Sequence, residues 1–250
     1  MGVAIFQGVA LVGCAAAFVV LIRRSVRAGA VEPALFMTIA FVSTGWMEPI
    51  YDWALYAQFH PDFWRAPDWG VLGLTHGGLP AIAGPAYGVY FLVGGLSAVA
   101  LAKRVGPRCG LRPGTALLLC GYATGFVWDG VIEFVGTQSH LWAFTRVARG
   151  FVPFGGTAEQ FPLGMPLGMG LMVAISALLL GNVGGSFPPG RWSERLFGSR
   201  HGTASTLLTA VVVCHIATAL VLVPYVVTKV AHLGTVAVEE PVYDIPNQGF

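Results

Sequence analysis

Four carboxylic acids occupy two apolar stretches of this sequence, as two pairs with the same spacing. Glu48 and Asp52 lie in MEPIYDW, and Asp129 and Glu133 lie in WDGVIEF. Residues four apart share one face of a helix, with Cβ atoms roughly 5–6 Å apart, so each pair presents two carboxyl groups in one direction. Two like charges this close in an apolar site do not both ionise easily. We expect one member of each pair to keep its proton and to act as a proton donor at neutral pH.

A cavity that holds these acids beside aromatic side chains would suit acid-initiated cyclisation. The acid protonates an alkene, an enol ether or a hydroxyl group, and aromatic faces stabilise the resulting carbocation or oxocarbenium ion. We predict Glu48 and Asp129 as the leading members of the proton-donor system, with Asp52 and Glu133 tuning them or relaying the proton. All four are candidate catalytic residues.

The acids belong to a strongly apolar chain. Of its 250 residues, 55% are hydrophobic and 10% are charged, whereas about 25% charged residues are usual in a soluble domain. A charged residue inside a membrane helix costs roughly 3 kcal/mol and marks a functional site by default. The composition therefore predicts a polytopic membrane protein whose four buried acids have a function.

Six apolar runs approach the length of about 20 residues that crosses a bilayer. They are residues 3–22, 34–57, 80–102, 114–136, 161–181 and 204–227. The predicted fold is all-α, a polytopic transmembrane helical bundle of about six spans, within a range of six to eight, with long outer loops. Residues 1–250 form a single domain in this prediction, and residues 239–250 form a C-terminal tail.

The basic residues predict the orientation of the bundle. Ten of the fourteen Lys and Arg residues follow the first, third and fifth predicted spans: Arg23, Arg24, Arg27, Lys103, Arg104, Arg108, Arg112, Arg191, Arg195 and Arg200. The opposite side has Arg65, Arg146, Arg149 and Lys229. By the positive-inside rule, the Arg-rich side is cytoplasmic and both termini lie outside. We expect a multi-pass protein of the plasma membrane.

The two acid pairs fall near the outer ends of the second and fourth predicted spans, so they can face one cavity. Two outer loops of unusual length, residues 60–78 and 138–160, would close that cavity as lids or re-entrant segments. Candidate substrate-binding residues are Trp46, Tyr51, Trp53, Tyr56, Phe126, Trp128, Trp142, Glu159 and Gln160. Interfacial belts of Trp and Tyr are common in membrane proteins and explain any single aromatic residue better than a substrate contact does.

Several short motifs in a fixed order resemble one family. They are Glu48, Pro49 and Tyr51, then Pro85, Ala86 and Tyr87, then Asp129 and Glu133, then FGGTAEQFP at residues 154–162. This order resembles the spirocyclase AveC-like membrane proteins of actinobacteria over about residues 45–180. The resemblance implies an integral membrane cyclase of secondary metabolism, whose namesake acts on a polyketide in spiroketal formation.

Two departures from the family pattern leave the substrate open. Asp52 stands where family members often have Asn, and Leu163, Gly164 and Met165 stand where an acidic residue often follows Gln-Phe-Pro. The extra acid and the aromatic residues are also similar to membrane terpene cyclases, which protonate prenylated or meroterpenoid substrates. We therefore expect a lipophilic substrate, either prenylated and terpenoid or polyketide. The chain has no aspartate-rich run of the kind that binds Mg-diphosphate, so we do not expect diphosphate ionisation.

Other classes of function compete with a cyclase. Carboxylates with His60, His76 or His140 could bind a divalent ion, but there is no ExxH pair and no HExxH motif, so we predict no metal and no cofactor. Intramembrane acids also mark proton-coupled transporters or carriers, for which acids spread through the full membrane depth would be typical. A non-catalytic assembly subunit would instead pair its acids with a partner's cations.

The net charge and the cysteines bear on two further classes of site. A net charge of +2 without a continuous basic patch does not indicate a nucleic-acid partner. The four cysteines show no metal or disulfide spacing and are predicted to be small packing residues. Expected partners are the lipophilic substrate and the bilayer, and the sequence does not identify a protein partner.

Overall fold

The computed structural model describes residues 2–66, 80–150, 152–182, 187–238 and 243, except for the side chain of Ser199. The described part is mostly helical. Its helices are α1 (Gly2–Ala28), α2 (Pro33–Ser43), α3 (Glu48–Leu55), α4 (Ala83–Arg108), α5 (Pro113–Gln138), α6 (Gly164–Leu180), α7 (Pro188–Phe197) and α8 (Thr203–Val230). Proline begins α2, α5 and α7, where its missing N–H removes a donor that the first turn leaves unpaired.

Within the described residues, four helices are long and apolar enough to cross a membrane, namely α1, α4, α5 and α8. The other two predicted spans differ from the expectation. Helix α6 covers 17 residues, which is shorter than the length of about 20 that crosses a bilayer. The predicted span 34–57 is divided between α2 and α3. A helical protein with several apolar helices is confirmed, but the predicted number of six spans is not.

The division of the second predicted span lies beside the first acid pair. A 3₁₀ turn, Thr44–Met47, joins α2 to α3. Proline 49 has no N–H to donate to the carbonyl of Gly45, so the regular α-helical pattern cannot continue through this point. The N–H of Glu48 bonds that carbonyl instead. The break places Glu48 at the start of a new helix.

The all-α prediction also needs correction, because short strands join the loops at one end of the bundle. Strand β1 (Ala57–Phe59) pairs antiparallel with β2 (Trp142–Phe144), and β3 (Arg146–Ala148) pairs antiparallel with β4 (Thr235–Ala237). Thr145 connects the two sheets, since its N–H donates to Tyr56 O and its carbonyl accepts from Val238 N. Hydropathy did not reveal these strands because three residues are too few for a periodic pattern.

Both ends of the described chain reach this same end of the bundle. Gln7 Oε1, on α1, accepts the backbone N–H of Trp64 at 2.7 Å. The hydroxyl of Tyr243 donates to the carbonyl of His140 at 2.9 Å. Apart from Tyr243, the predicted tail of residues 239–250 lies outside the described residues, as do residues 67–78 of the first predicted outer loop. The described contacts close this end with α1, the two sheets and Tyr243.

The Arg-rich segments lie at the opposite end. Arg24 Nε is 3.3 Å from Glu32 Oε1 across the turn between α1 and α2. Helix α7, which was not predicted, lies in the third Arg-rich loop, and its buried Ser193 lies 3.2 Å from His201 Nδ1. These segments follow the first, third and fifth predicted spans, and the number of membrane crossings between them stays a prediction. The cytoplasmic assignment of this end stays a prediction.

Close helix contacts fix the relative positions of α3, α4 and α5. A Cβ added to Gly45 would lie 2.5 Å from Gly84 Cα, so the backbones meet where α3 and α4 both begin. On α5, a Cβ on Gly121 would lie 2.5 Å from Ala174 Cα of α6. Small residues permit such close approach between membrane helices. The acids of α3 and α5 are therefore carried on helices that pack backbone-to-backbone against α4 and α6, respectively.

Candidate active site

All four acids line one cavity of about 280 Å³ beneath the β1–β2 sheet. Its walls come from α1, α3, α4, α5, α6 and both strands of that sheet. Besides the acids, the lining residues are Phe6, Val9, Ala10, Tyr51, Leu55, Ala57, Phe59, Pro80, Ile82, Ala83, Ala86, Tyr87, Val89, Tyr90, Trp128, Ile132, Trp142, Phe144, Met165 and Met169. No Lys, Arg or His occurs among these described lining residues. The cavity is an apolar chamber with an acidic patch.

Helix α4 contacts the first acid pair through Tyr87. The Tyr87 hydroxyl donates a hydrogen bond to Glu48 Oε2. Glu48 begins α3 and Tyr87 lies in the first turns of α4, so the close approach of Gly45 to Gly84 sets this pair. The sequence motif that contains Tyr87 thus contributes a direct partner of a candidate catalytic acid.

One turn farther along α4, Tyr90 contacts the second acid pair. Its hydroxyl donates to Asp129 Oδ1 at 2.9 Å. Asp129 is 2% exposed, and its Oδ2 has no hydrogen-bond partner among the described residues. A buried polar atom without a partner is rare in folded proteins and calls for an explanation such as a bound ligand or a catalytic role. Asp129 is held by one oxygen and leaves the other unengaged.

Glu133 is held from the capping sheet. The indole Nε1 of Trp142, on β2, donates to Glu133 Oε2 at 2.9 Å, and both residues are buried. Trp142 lies flat against α5 because Gly136 leaves room for it, since a Cβ there would be 2.0 Å from the ring atom Cζ2. Glu133 therefore has a fixed orientation. That suits an acid that tunes its neighbour Asp129 better than one that must move to transfer a proton.

Asp52 faces the cavity close to a cation from the loop. Arg65 donates from Nη2 to the carbonyls of Phe59 and His60, both at 3.2 Å. Burial lowers the pKa of the Arg65 guanidinium, and the negative charge of Asp52 opposes that shift. Arg65 is not among the cavity-lining residues. It can therefore balance the charge of Asp52 without contacting the cavity itself.

Three of the predicted substrate-binding residues do line the cavity: Tyr51, Trp128 and Trp142. The Tyr51 hydroxyl donates to the carbonyl of Thr218 on α8 at 3.2 Å, which leaves its ring toward the cavity. Trp128 is 39% exposed and stands 6.3 Å from the ring of Tyr90. Aromatic faces thus accompany both acid pairs.

Two predicted substrate-binding residues lie outside this cavity, on the apolar surface. Trp46 is 49% exposed and donates from Nε1 to His215 Nε2 at 2.9 Å, while His215 Nδ1 lies 2.8 Å from Val211 O. Phe126 is 37% exposed and lies on α5 away from the cavity. Their positions near the acids in the sequence were compatible with the cavity, but both side chains lie on the outer surface of the bundle.

Trp53 and Tyr56 also lie outside the cavity, where they surround a cation. Lys229 Nζ, near the end of α8, is 4.8 Å from the centroid of the Trp53 ring and 3.5 Å from that of Tyr56. It also donates to the carbonyl of Trp53 at 2.5 Å. These two aromatic residues anchor α8 to the end of α3, on the far side of α3 from the acids.

The two polar residues predicted to bind substrate belong to the capping structure. Gln160 is fully buried, accepts from Gly156 N at 3.0 Å, and donates from Nε2 to the carbonyls of Phe144 and Val236 at 2.8 and 3.4 Å. It therefore joins β2 to β4. Glu159 Oε1 is 3.9 Å from His140 Nε2. Neither lines the cavity.

Sequence reasoning missed Tyr90 and several apolar wall residues. The sequence does contain a signal for the tyrosines, because Tyr87 and Tyr90 are three apart and so share a helix face. Phe6 and Val9 come from α1, and Phe59 and Phe144 come from the capping strands, whose pairing the sequence pattern did not indicate.

The described part of the chain contains no cluster of side chains that would support the alternative of a metal site. No group of three or more His, Cys, Asp and Glu side chains there is arranged to hold an ion. His76, which that alternative included, lies outside the described residues. The expected lack of a cofactor stays a prediction.

Comparisons with known proteins agree with the motifs. A family model described as Spirocyclase AveC-like matches residues 26–248. Searches of curated proteins and of solved structures find no match. The matched range includes all four acids and both tyrosines but leaves out most of α1, which contributes Phe6, Val9 and Ala10 to the cavity wall.

Proposed function

Because the chain belongs to the spirocyclase AveC-like family, we propose that it is a membrane cyclase that closes rings on a lipophilic substrate by carboxylic-acid protonation. The family supports a cyclase of secondary metabolism. The acid mechanism and the substrate class, terpenoid and prenylated or polyketide, are our proposals. So are the lack of a cofactor and the location in the plasma membrane.

The observation that carries the proposal is the joint presence of four carboxyl groups and two tyrosine hydroxyls on one otherwise apolar cavity. The described lining contains no basic residue, so no described side chain there supplies a positive charge for a diphosphate group. Apolar walls exclude water and suit an oily substrate, and they also strengthen electrostatic effects on a developing cation.

For a prenylated substrate, the proton of one carboxyl group adds to a terminal alkene carbon. A C–H bond forms and leaves a tertiary carbocation, which the π electrons of a neighbouring alkene attack to close a ring. Loss of a proton from the final cation to a carboxylate regenerates the acid, and the product is an isomer of the substrate. Tyr51, Trp128 and Trp142 supply ring faces for the cationic stages.

For a polyketide, the same groups would act on a dihydroxy-ketone. Protonation of the carbonyl oxygen allows one hydroxyl to attack, and protonation of the resulting hemiketal hydroxyl releases water. The second hydroxyl then closes onto the oxocarbenium ion, and a carboxylate accepts the last proton. The product is lighter than the substrate by one water.

We assign the proton-donor system to Asp129 and Glu48, each with a tyrosine partner on α4. Asp129 is the first candidate donor, because Tyr90 holds Oδ1 while Oδ2 has no partner in the described structure. Glu48, held by Tyr87, lies on the facing helix and can accept the proton that the product releases. Trp142 orients Glu133 by a hydrogen bond, and Arg65 balances the charge of Asp52.

Product analysis by mass spectrometry tests the substrate class. The chain is expressed in a host supplied with either a linear prenylated indole or an open-chain dihydroxy-ketone polyketide. An isomer of unchanged mass from the first compound identifies a terpene-type cyclase. Loss of one water from the second identifies a spirocyclase.

Isosteric variants test the mechanism with whichever substrate is turned over. Asp129→Asn and Glu48→Gln are expected to lower turnover at least about 100-fold, which is the usual contribution of a general acid or base. Glu194→Gln, an exposed change on α7 at the opposite end, serves as the matched control. Normal turnover by both site variants, with folded protein in detergent, would contradict the acid mechanism.

A further inference from the structure

A second cavity of about 290 Å³ lies on the other side of α3 from the acids. Its walls are the end of α3, β3, the start of α6 and the last turns of α8, and Leu55 lines both cavities. Three cations line it: Arg146, Arg149 and Lys229. No Asp or Glu occurs among its described lining residues. Its charge is therefore opposite to that of the acidic cavity.

Two of the three cations, Lys229 and Arg149, are held in place from different elements. Lys229 is anchored to α3 by the Trp53 carbonyl and by the rings of Trp53 and Tyr56. Arg149 Nε lies 3.4 Å from the carbonyl of Thr235 on β4, and Gly234 leaves room for the Arg149 side chain, since a Cβ there would be 3.4 Å from its Cδ. This arrangement is a built recess in the surface.

The recess lies where the apolar surface of the bundle meets the polar cap. Leu167, in its wall, is 49% exposed, and Val227 and Val230 on the neighbouring turns of α8 are 56% and 60% exposed. Exposed apolar side chains at the end of a membrane helix contact lipid chains. A ligand in this recess can therefore place an anionic group on the cations while its apolar part remains along the helices.

We propose that this recess binds a phosphate group, supplied by a phospholipid headgroup. Arg is well suited to phosphate because its guanidinium donates two parallel hydrogen bonds, and Lys adds a point charge. The apolar lower wall of Leu55, Leu167 and Pro224 favours a lipid over free phosphate. The proposal is independent of the cyclase reaction, since none of the three cations lines the acidic cavity.

Native mass spectrometry of the full chain in detergent, titrated with phosphatidylglycerol, tests the proposal. We expect one lipid to bind most tightly. Each Arg→Gln change should weaken that binding about fivefold, which follows from ~1 kcal/mol per basic residue near a lipid surface, so the Arg146→Gln/Arg149→Gln variant should bind about 25-fold more weakly. The matched control is Arg104→Gln/Arg108→Gln, which removes two exposed arginines at the other end of α4.

Unchanged binding by the Arg146→Gln/Arg149→Gln variant, or an equal loss in the control, would overturn the proposal. A parallel titration with inorganic phosphate identifies the source. Phosphate binding that depends on Arg146 and Arg149, without lipid binding, assigns the recess to a soluble anion and overturns the lipid assignment. If the double variant does not fold, the single variants decide. Arg149→Gln should bind lipid about fivefold more weakly than wild type, and Arg149→Lys, which keeps the charge but loses the paired hydrogen bonds, should lie between the two. Equal affinity of Arg149→Lys and Arg149→Gln would refute a charge-based site.

Discussion

At the scale of single residues, the acids are partnered by groups that differ in kind. Tyr87 and Tyr90 donate to Glu48 and Asp129, whereas Glu133 accepts from an indole on the capping sheet. A hydroxyl can both donate and accept, so a tyrosine can stay hydrogen-bonded to its acid whether that acid is ionised or protonated. An indole N–H can only donate. This difference supports the division between proton-transferring acids and a tuning acid.

Tyr90→Phe tests that division. The change removes the hydrogen bond to Asp129 and keeps the ring in the cavity wall. Because a hydrogen bond to a charged group contributes about 1.5–3 kcal/mol, turnover is expected to fall roughly 10–100-fold. Product formation measured with purified protein in detergent checks this. Tyr122→Phe, on the exposed face of α5, is the matched control, and a Tyr90→Phe variant within twofold of wild type would refute the role.

The residues that sequence reasoning found, and those it missed, differ in where their partners lie. The acid pairs were predictable because both members of a pair are on one helix, four residues apart. The partners Tyr90 and Trp142 approach from another helix and from a strand, and such contacts between distant segments leave no local pattern. Trp53 and Tyr56 were misassigned for the same reason: their neighbourhood is set by Lys229, about 170 residues along the chain.

At the scale of secondary-structure elements, α5 carries the second acid pair and also supports the capping sheet. Gly136 lies one turn after Glu133, and the indole of Trp142 packs directly on it. The orientation of Glu133 thus depends on a glycine that has no part in the chemistry. The break between α2 and α3 is comparable, because Pro49 fixes the position of Glu48. Pro49 is a sequence signal for that break, but the predicted span 34–57 ran through it, and the contact at Gly136 had no such signal.

Gly136→Ala should move Trp142 and release Glu133. The new Cβ would be 2.0 Å from Trp142 Cζ2, and such overpacking costs about 1–3 kcal/mol, against a gain of about 1 kcal/mol from the higher helix propensity of Ala. We expect a lower midpoint of thermal unfolding in detergent, measured by tryptophan fluorescence. Gly114→Ala, on the same helix with no atom within 4 Å of its new Cβ, should leave the midpoint unchanged or raise it.

At the scale of the whole molecule, the two ends of the bundle differ in charge and in structure. One end has the strands, both cavities and the contacts of α1 and Tyr243. The other has short turns, the Arg-rich segments and α7. The apolar pattern predicted the long helices well. It did not settle how many cross the bilayer, because α6 and the pair α2–α3 are shaped by glycine, proline and tertiary contacts as much as by hydrophobicity.

Cysteine labelling tests the orientation with the native chain. Cys109 is exposed at the Arg-rich end, while Cys14, Cys120 and Cys214 are buried. In sealed right-side-out vesicles, a membrane-impermeant maleimide should label the protein only after permeabilisation. A Cys109→Ser/Ser139→Cys variant, which moves the exposed thiol to the other end, should react before permeabilisation. Labelling of native Cys109 in sealed vesicles would mean that the Arg-rich end faces outward.

Strand β4 pairs with β3 in the cap, and the ribosome makes β4 later than it makes the residues of the acidic cavity. All four acids, the tyrosines of α4 and Trp142 emerge from the ribosome well before residues 235–237. Until those residues join β3 and the carbonyl of Val236 accepts from Gln160, the side chain that holds Phe144 of the cavity wall lacks one of its partners. A chain that stops after residue 230 would therefore carry every acid that we assign to the chemistry and still lack the strand that braces the wall of their cavity through Gln160.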